Sequence, residues 1–339
     1  MKLIKTEDAV GHVLCHDMTQ IIKDQYKDAR FRKGHVVTEE DIPVLLSMGK
    51  EHLYVWEMTS GMVHENDAAE RLLALCGQEN MIRSGVKEGK IELKAACDGV
   101  FLVDSARLVA VNSQDEVMIA TRKGGMAVRE GDKLAGMRVI PLIIEEEKLR
   151  KAEQAAGDKP LLSLKPYVRK TACIVATGGE VKKGLIKDTF TPVVIDKLKT
   201  YGIETLEVVY SGDGVENVRD AVLAMREKKP DMILCTGGMS VDPDDNTPGG
   251  IKAAGANIIA YGAPVLPGAM FLLGYFDDGM PVMGLPGCVM YAGATVFDLV
   301  LPKIAADVPV TRADLAALGE GGLCLGCKPC YYPICPFGK

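Results

Sequence analysis

The apolar positions of this chain change their period along its length. Between residues 170 and 310, short continuous apolar runs alternate with stretches of helical spacing. Ala172-Cys-Ile-Val-Ala176 and Met232-Ile-Leu-Cys235 are apolar at every position, the pattern of parallel strands covered on both faces. Thr189 to Tyr201 reads as a helix ended by Gly202. Val215 to Lys229 reads as a second, with Asp213 or Gly214 at its cap, and Glu204 to Tyr210 is a strand between them. Strands separated by helices of this length predict right-handed crossovers and an α/β fold, a doubly wound, mostly parallel sheet with helices on both faces. Farther on, Met270 to Tyr275, Asp277-Asp-Gly279 and Pro281-Val-Met283 predict a hairpin, and Val289 to Ala305 an apolar helix.

Upstream the texture differs. Residues 1–60 read as a small α+β segment: Thr38 caps a helix opening with Glu39-Glu40-Asp41 and ending at Gly49, and His52 to Trp56 follows as a strand. In residues 61–150 a helix starts near Asn66, with Ala69, Leu72, Leu73 and Cys76 as its apolar stripe. Val100–Val103, Leu108–Val111, Val117–Ala120 and Val139–Ile144 then predict a β-rich, barrel-like module punctuated by glycine turns. Glu145 to Gly157 reads as a solvated connecting helix, residues 151–169 as linker, 170–310 as the main domain and 311–339 as a cysteine-rich tail. His12, Cys15 and His16 lie close together, but no further partner follows at metal spacing, so they are assigned to packing.

Composition narrows the function classes. A net charge of −6 and a pI near 5.5 oppose a nucleic-acid groove, which needs a basic footprint. The longest apolar stretch, Ile251 to Leu273, is broken by Gly and Pro, so no membrane span is expected and the chain reads as cytoplasmic. Six of the 10 cysteines are scattered singly, while Cys324, Cys327, Cys330 and Cys335 crowd into the tail. That distribution fits a reducing compartment and a metal-binding tail better than a disulfide framework.

Ligands of open α/β sheets bind at the carboxyl ends of the strands. Four loops should meet there: Thr177-Gly-Gly-Glu180 with Lys182, Lys183, Lys187 and Asp188 beyond it; Ser211-Gly-Asp-Gly214; Thr236-Gly-Gly-Met-Ser240 running through Asp242, Asp244 and Asp245 to Thr247-Pro248; and Gly284-Leu-Pro-Gly-Cys288. Thr247 is a good N-cap and Pro248 suits the first helical position. Carboxylates facing a phosphate imply an intervening divalent cation, so the loops predict an anionic ligand with Mg²⁺. Dinucleotide-fold, P-loop and nucleophile-elbow motifs are absent.

In order and spacing, Thr177-Gly-Gly-Glu180, Ile186-Lys-Asp188, Thr236 to Ser240 with Pro243 to Pro248, and Gly284 to Gly287 resemble the molybdopterin-binding domain shared by MoeA, MogA and gephyrin, over roughly residues 170–308. The resemblance implies that the cleft binds molybdopterin or adenylated molybdopterin. Asp188 and Asp245 would be the catalytic pair handling Mg²⁺ and the pyrophosphate or molybdate, with Asp242 as a further metal ligand. Thr177, Gly178, Glu180, Asp213, Thr236, Gly237, Gly238, Ser240, Asp244, Thr247, Pro286 and Gly287 would contact the ligand. The implied activity is insertion of molybdate into adenylated molybdopterin with release of AMP. Alternatives are a carrier or sensor serving a molybdoenzyme, and nucleotide pyrophosphate hydrolysis as associated with CinA-type proteins. The resemblance also implies a homo-oligomer and contact with a molybdoenzyme or another assembly protein. Cys288 stands where the MoeA pattern has Asn, and Gly179 where it has Asp.

The tail, Cys324-x₂-Cys327-x₂-Cys330-x₄-Cys335-Pro336, is one residue longer in its last gap than the bacterial ferredoxin run. Four thiolates so spaced suit either an iron–sulfur cluster or a tetrahedral Zn²⁺.

Overall fold

Residues 172–176 are apolar throughout because both faces of their strand are covered. The computed structural model describes residues 2–22, 26–55, 61–240, 242 and 245–339, and the chain divides into two units. One comprises residues 1–96, 103–124 and 131–163; the other comprises residues 97–102, 125–130 and 164–339.

The second unit holds the sheet that the sequence anticipates, with one added strand. Its strands are β1 (Thr171–Thr177), β2 (Glu204–Ser211), β3 (Met232–Thr236), β4 (Asn257–Tyr261), β5 (Leu272–Tyr275) and β6 (Pro281–Leu285), in the order β2-β1-β3-β6-β5-β4. The first four in that order are parallel, β5 runs antiparallel to β6, and β4 runs antiparallel to β5. The result is a mixed α/β fold with a parallel-rich sheet. The turn between β5 and β6 contains Gly279 at φ +80°, and the Asp278 carboxylate accepts from Met280 N at 3.1 Å. Alternate residues of each strand enter two separate clusters. Ile174, Leu234 and Met283 pack with Val194 and Leu198 of α1 (Phe190–Lys199) and with Phe297, Val300 and Ile304 of α4 (Val296–Ala305). Cys173, Ile233, Cys235 and Val282 pack with Val218, Val222 and Met225 of α2 (Val215–Arg226) and Ile251 of α3 (Thr247–Ala253). Burial pushes the Cys235 thiol up to about 12, so it packs as a small neutral hydrophobe. A Thr295–Asp298 capping box opens α4, and Lys197 of α1 pairs with the same Asp298 carboxylate.

The first unit departs from expectation in several places. Leu108 to Val111 lies in a helix, Ser105–Asn112, whose N-cap Asp104 accepts from Arg107 N at 3.1 Å. A four-residue apolar run cannot by itself distinguish strand from helix. The expected barrel is an open four-stranded antiparallel sheet, ordered Met81–Arg83, Ile91–Ala95, Lys133–Val139, Val117–Thr121. The helix predicted from Asn66 spans Glu65–Leu75, and Ala69, Leu72, Leu73 and Cys76 are all buried. Thr38 does not cap the next helix; its N–H and hydroxyl donate to the Asp41 carboxylate, both at 2.8 Å, and the helix runs Asp41–Ser47. The strand expected over His52–Trp56 is seen as His52–Val55, Trp56 lying outside the described residues.

Residues 151–169 are not a linker. Helix Glu146–Ala156 buries Leu149, Ala152 and Ala156, an apolar stripe hidden among charges, and Leu162–Pro166 is a strand. That strand forms a three-stranded sheet with Gly99–Val103 and Met126–Val128. The stretch 61–150 therefore contributes to both units rather than forming one module. No helix among the described residues is long and apolar enough to cross a membrane.

Phe297 of α4 is fully buried in the cluster that α4 forms with the sheet. Its replacement by Ala should cost about 3–5 kcal/mol, read from urea denaturation followed by circular dichroism.

Candidate functional site

Because β2, β1, β3 and β6 are parallel, their carboxyl ends share one edge, and the register sets Ser211 beside Thr177 and Thr236 beside Leu285. All four predicted loops leave the sheet there. Thr177, Thr236 and Thr247 are buried at that edge. The Thr177 hydroxyl donates to Thr236 O at 2.9 Å, the Thr247 hydroxyl donates to Gly237 O at 2.8 Å, and the two hydroxyl oxygens are 3.1 Å apart. With one proton each, the two hydroxyls cover the two carbonyls, and their oxygens lie in contact without a further donated hydrogen.

This knot explains the two glycines of the third loop. Gly237 sits at φ +82°, and a Cβ there would stand 2.3 Å from Thr177 O. Gly238, at φ +54°, would place a Cβ 2.8 Å from Thr247 Oγ1. Only glycine permits both the left-handed backbone and the close approach. Gly284 serves packing instead: a Cβ would press to within 2.6 Å of Met239 Sδ, and Met239 is buried over it. Gly287 is exposed, with nothing within 4 Å of a Cβ position, and it opens the short 3₁₀ turn Gly287–Met290 behind buried Pro286.

The carboxylates divide into two sorts. Asp188 Oδ1 accepts from Phe190 N (2.9 Å) and Thr191 N (3.0 Å), and Tyr210 OH donates to Oδ2 at 3.2 Å. Burial pushes its carboxyl up, but the hydrogen bonds from Thr191, Phe190 and Tyr210 outweigh that and hold it below the usual range. Asp188 thus secures the start of α1. Asp213 Oδ2 accepts from Gly179 N at 3.0 Å, tying the second loop to the first. Gly178, at φ +139°, precedes a single helical turn, Gly179–Lys182, which contains the backbone of Glu180.

Asp242 and Asp245 form the other sort. They share one turn, with Asp245 N donating to Asp242 O (2.9 Å) and Asp242 N to Asp245 Oδ2 (3.2 Å). Asp244 lies outside the described residues. The metal set expected from Asp188, Asp242 and Asp245 is not assembled: among the described residues no three His, Cys, Asp or Glu side chains are grouped to hold an ion. Asp188 is withdrawn from it by its capping role. The same finding applies to a single ion held by Cys324, Cys327, Cys330 and Cys335.

Two tyrosines escape a motif search. Tyr261 OH donates to Met239 O (2.9 Å) and reaches Ser240 O (3.2 Å), bracing the acidic loop from β4. Burial and then the Asp245 charge raise its phenol. Tyr210, two-fifths exposed, does the same service for Asp188, and Leu185 and Ile186 are exposed in the first loop. Thr189 Oγ1 lies 3.1 Å from Met290 Sδ, joining the first loop to the fourth. Ser240 itself is exposed.

Residues 173–306 match the model of a family described as a probable molybdopterin binding domain, and residues 3–57 match a domain of unknown function. A CinA-like protein of Mycobacterium tuberculosis is 33% identical over 76 residues, covering 22% of this chain and 18% of that protein. The match therefore spans less than a fifth of that curated relative's length. Similar solved structures include the molybdopterin biosynthesis enzyme MoaB of Thermus thermophilus, with 16% identity, 42% of this chain and 99% of that chain covered, and a TM-score of 0.36. Another is a molybdenum cofactor biosynthesis protein of Pyrococcus furiosus, with 13% identity, 93% and 64% covered, and a TM-score of 0.27.

Two outcomes follow from the edge geometry. Replacing Thr177 by Val should cost about 1–3 kcal/mol, because buried carbonyls lose a donor, whereas Thr177→Ser should retain most of it; chemical denaturation reads both. Asp188→Ala should cost about 0.5–2 kcal/mol at neutral pH, as for loss of a helix cap. Since the folded carboxyl titrates below its unfolded value, its contribution is complete above the unfolded pKa and vanishes as pH falls through the folded one. Denaturation at neutral and strongly acidic pH should show the gap to the native sequence closing in acid.

Proposed function

We propose, from the match of residues 173–306 to the model of a probable molybdopterin binding domain, that the four-loop edge binds molybdopterin or its adenylated form and serves late molybdenum-cofactor assembly. The reaction assigned is insertion of molybdate into the pterin dithiolene with release of AMP. The observation that carries the reading is the register that sets Ser211 beside Thr177, Thr236 beside Ala176 and Leu285 beside Thr236, which delivers four loops to one edge. Gly237 and Gly238, locked over the threonine knot, offer bare backbone to a phosphate, and Lys182 and Lys187 supply nearby positive charge. Leu185, Ile186 and Tyr210 give the pterin ring apolar surface.

A Mg²⁺ that arrives with phosphates needs only one or two carboxylates and keeps several waters. Asp242 and Asp245, on one turn, suit that requirement, while a dedicated cage has no counterpart among the described residues. When bound, such a cation neutralises charge developing on the pyrophosphate. In this scheme Asp245 positions the phosphoanhydride, Asp188 and Asp213 hold the surrounding loops, and Tyr261 keeps the acidic turn in place. Self-association and delivery to a molybdoenzyme or another assembly protein, in the cytoplasm, belong to the same proposal.

A second reading, hydrolysis of a nucleotide pyrophosphate, is favoured by the identity shared with the CinA-like protein. A carrier or sensor would bind the pterin without turnover.

The readings separate on AMP. Protein given adenylated molybdopterin, molybdate and Mg²⁺ should release AMP only when molybdate is present; release from ADP-ribose without molybdate would instead support the hydrolase. A tightly bound pterin with no AMP from either substrate would leave a carrier. Asp245→Ala should lower AMP release by about tenfold or more, ~1.4 kcal/mol in the barrier, with an unchanged thermal unfolding curve.

A further inference from the structure

The last sixteen residues are not a loose end. Phe337 is buried in the core cluster that contains α4, and Tyr332 OH donates to Asp298 O at 3.0 Å. At the other end of the segment, Leu266 N donates to Gly322 O and Cys324 N to Leu266 O, each at 2.8 Å. Between these anchors Cys324, Cys327, Cys330 and Cys335 line a single cavity of about 340 Å³, with Tyr291, Ala292, Gly293 and Ala294 on its far wall. At residue 293 a Cβ would stand 2.8 Å from Cys330 Sγ, so glycine is what leaves the thiol its place. Among the described residues no carboxylate or imidazole lines the cavity, and the charged side chain there is Lys328.

We propose that this cavity is the seat of a [4Fe–4S] cluster ligated by Cys324, Cys327, Cys330 and Cys335. Thiolates with no oxygen or nitrogen donors select zinc, copper(I) or iron–sulfur clusters. Zinc draws its four sulfurs to one point, whereas here the four cysteines border a cavity of about 340 Å³. A cubane makes the opposite demand: each cysteine binds a different iron, so the thiols stand apart around a void that the cluster fills. Four thiols around one cavity meet that demand. Three cysteines at i, i+3 and i+6 followed by Cys335-Pro336 repeat the ferredoxin order with one extra residue in the last gap. Tyr332 and buried Phe337 give the cavity an apolar wall on its inner side, and Lys328 offsets the negative charge of a thiolate-bound cluster.

The assignment stands independently of the pterin reading. Full-length protein should be purified without oxygen, and a second portion reconstituted with ferrous iron and sulfide, before assay for iron, sulfide and zinc. About four iron and four sulfide per chain are expected, with a broad visible absorption that bleaches on reduction. Cys330→Ser and Cys335→Ser should lose most of the iron, and Cys97→Ser, outside the cavity, should keep it. Gly293→Ala removes no thiol yet should lower cluster loading severalfold by crowding Cys330. Stoichiometric zinc without sulfide would overturn the proposal. So would failure of the unmodified protein to take up iron on reconstitution, a result that does not depend on how any variant folds. Full iron retention in folded Cys330→Ser and Cys335→Ser variants would do the same.

Discussion

The carboxyl edge of the sheet depends on the hydrogen bonds among Thr177, Thr236 and Thr247. They join the ends of β1 and β3 to the first turn of α3, and they occupy carbonyls that would otherwise be buried without a donor. Everything that makes the third loop chemically useful follows from them. Gly237 and Gly238 are glycines because the threonines lie against their backbone, and that backbone becomes an accessible surface because no side chain can be there. A substitution in this knot therefore alters stability and the shape of the third loop together.

Around the knot, charge is used in two ways. Asp188 and Asp213 are largely spent on backbone N–H groups, so they act as fasteners of α1 and of the first loop. Asp242 and Asp245 sit on a single turn, and the turn is steadied from outside by a tyrosine hydroxyl. A carboxylate whose oxygens already accept from a helix terminus gains less from a cation than one in an open turn. That difference moves the weight of any cation chemistry from Asp188 toward Asp245, although the two are equivalent as letters in a motif.

The fourth loop connects two places of chemical interest. Gly287 opens a short turn at the sheet edge, and the same segment continues into Tyr291–Ala294, the wall of the cysteine cavity. Through Tyr332 and Phe337 the C-terminal segment is also anchored to α4, whose start is held by Thr295, Asp298 and Lys197. Packing at α4 thus bears on the shape of the cavity.

The sequence by itself determined the strands and the loops that matter. Residues 172–176 and 232–235 announce buried parallel strands, because a strand covered on both faces can tolerate no polar position. Glycine turns and helix caps then place four loops at one edge, since parallel strands joined by crossovers must point the same way. Tertiary structure decided the rest. The added strand β4, the helix at 105–112 and the ordered segment 151–169 take their form from what packs on them, and short apolar or charged runs carry no period that would reveal it. Whether Asp188 binds a ligand or caps a helix, and whether Tyr210 and Tyr261 serve the site, depends on which atoms a neighbouring strand brings within hydrogen-bond reach. Composition and spacing carry no record of those distances; only the folded sheet does.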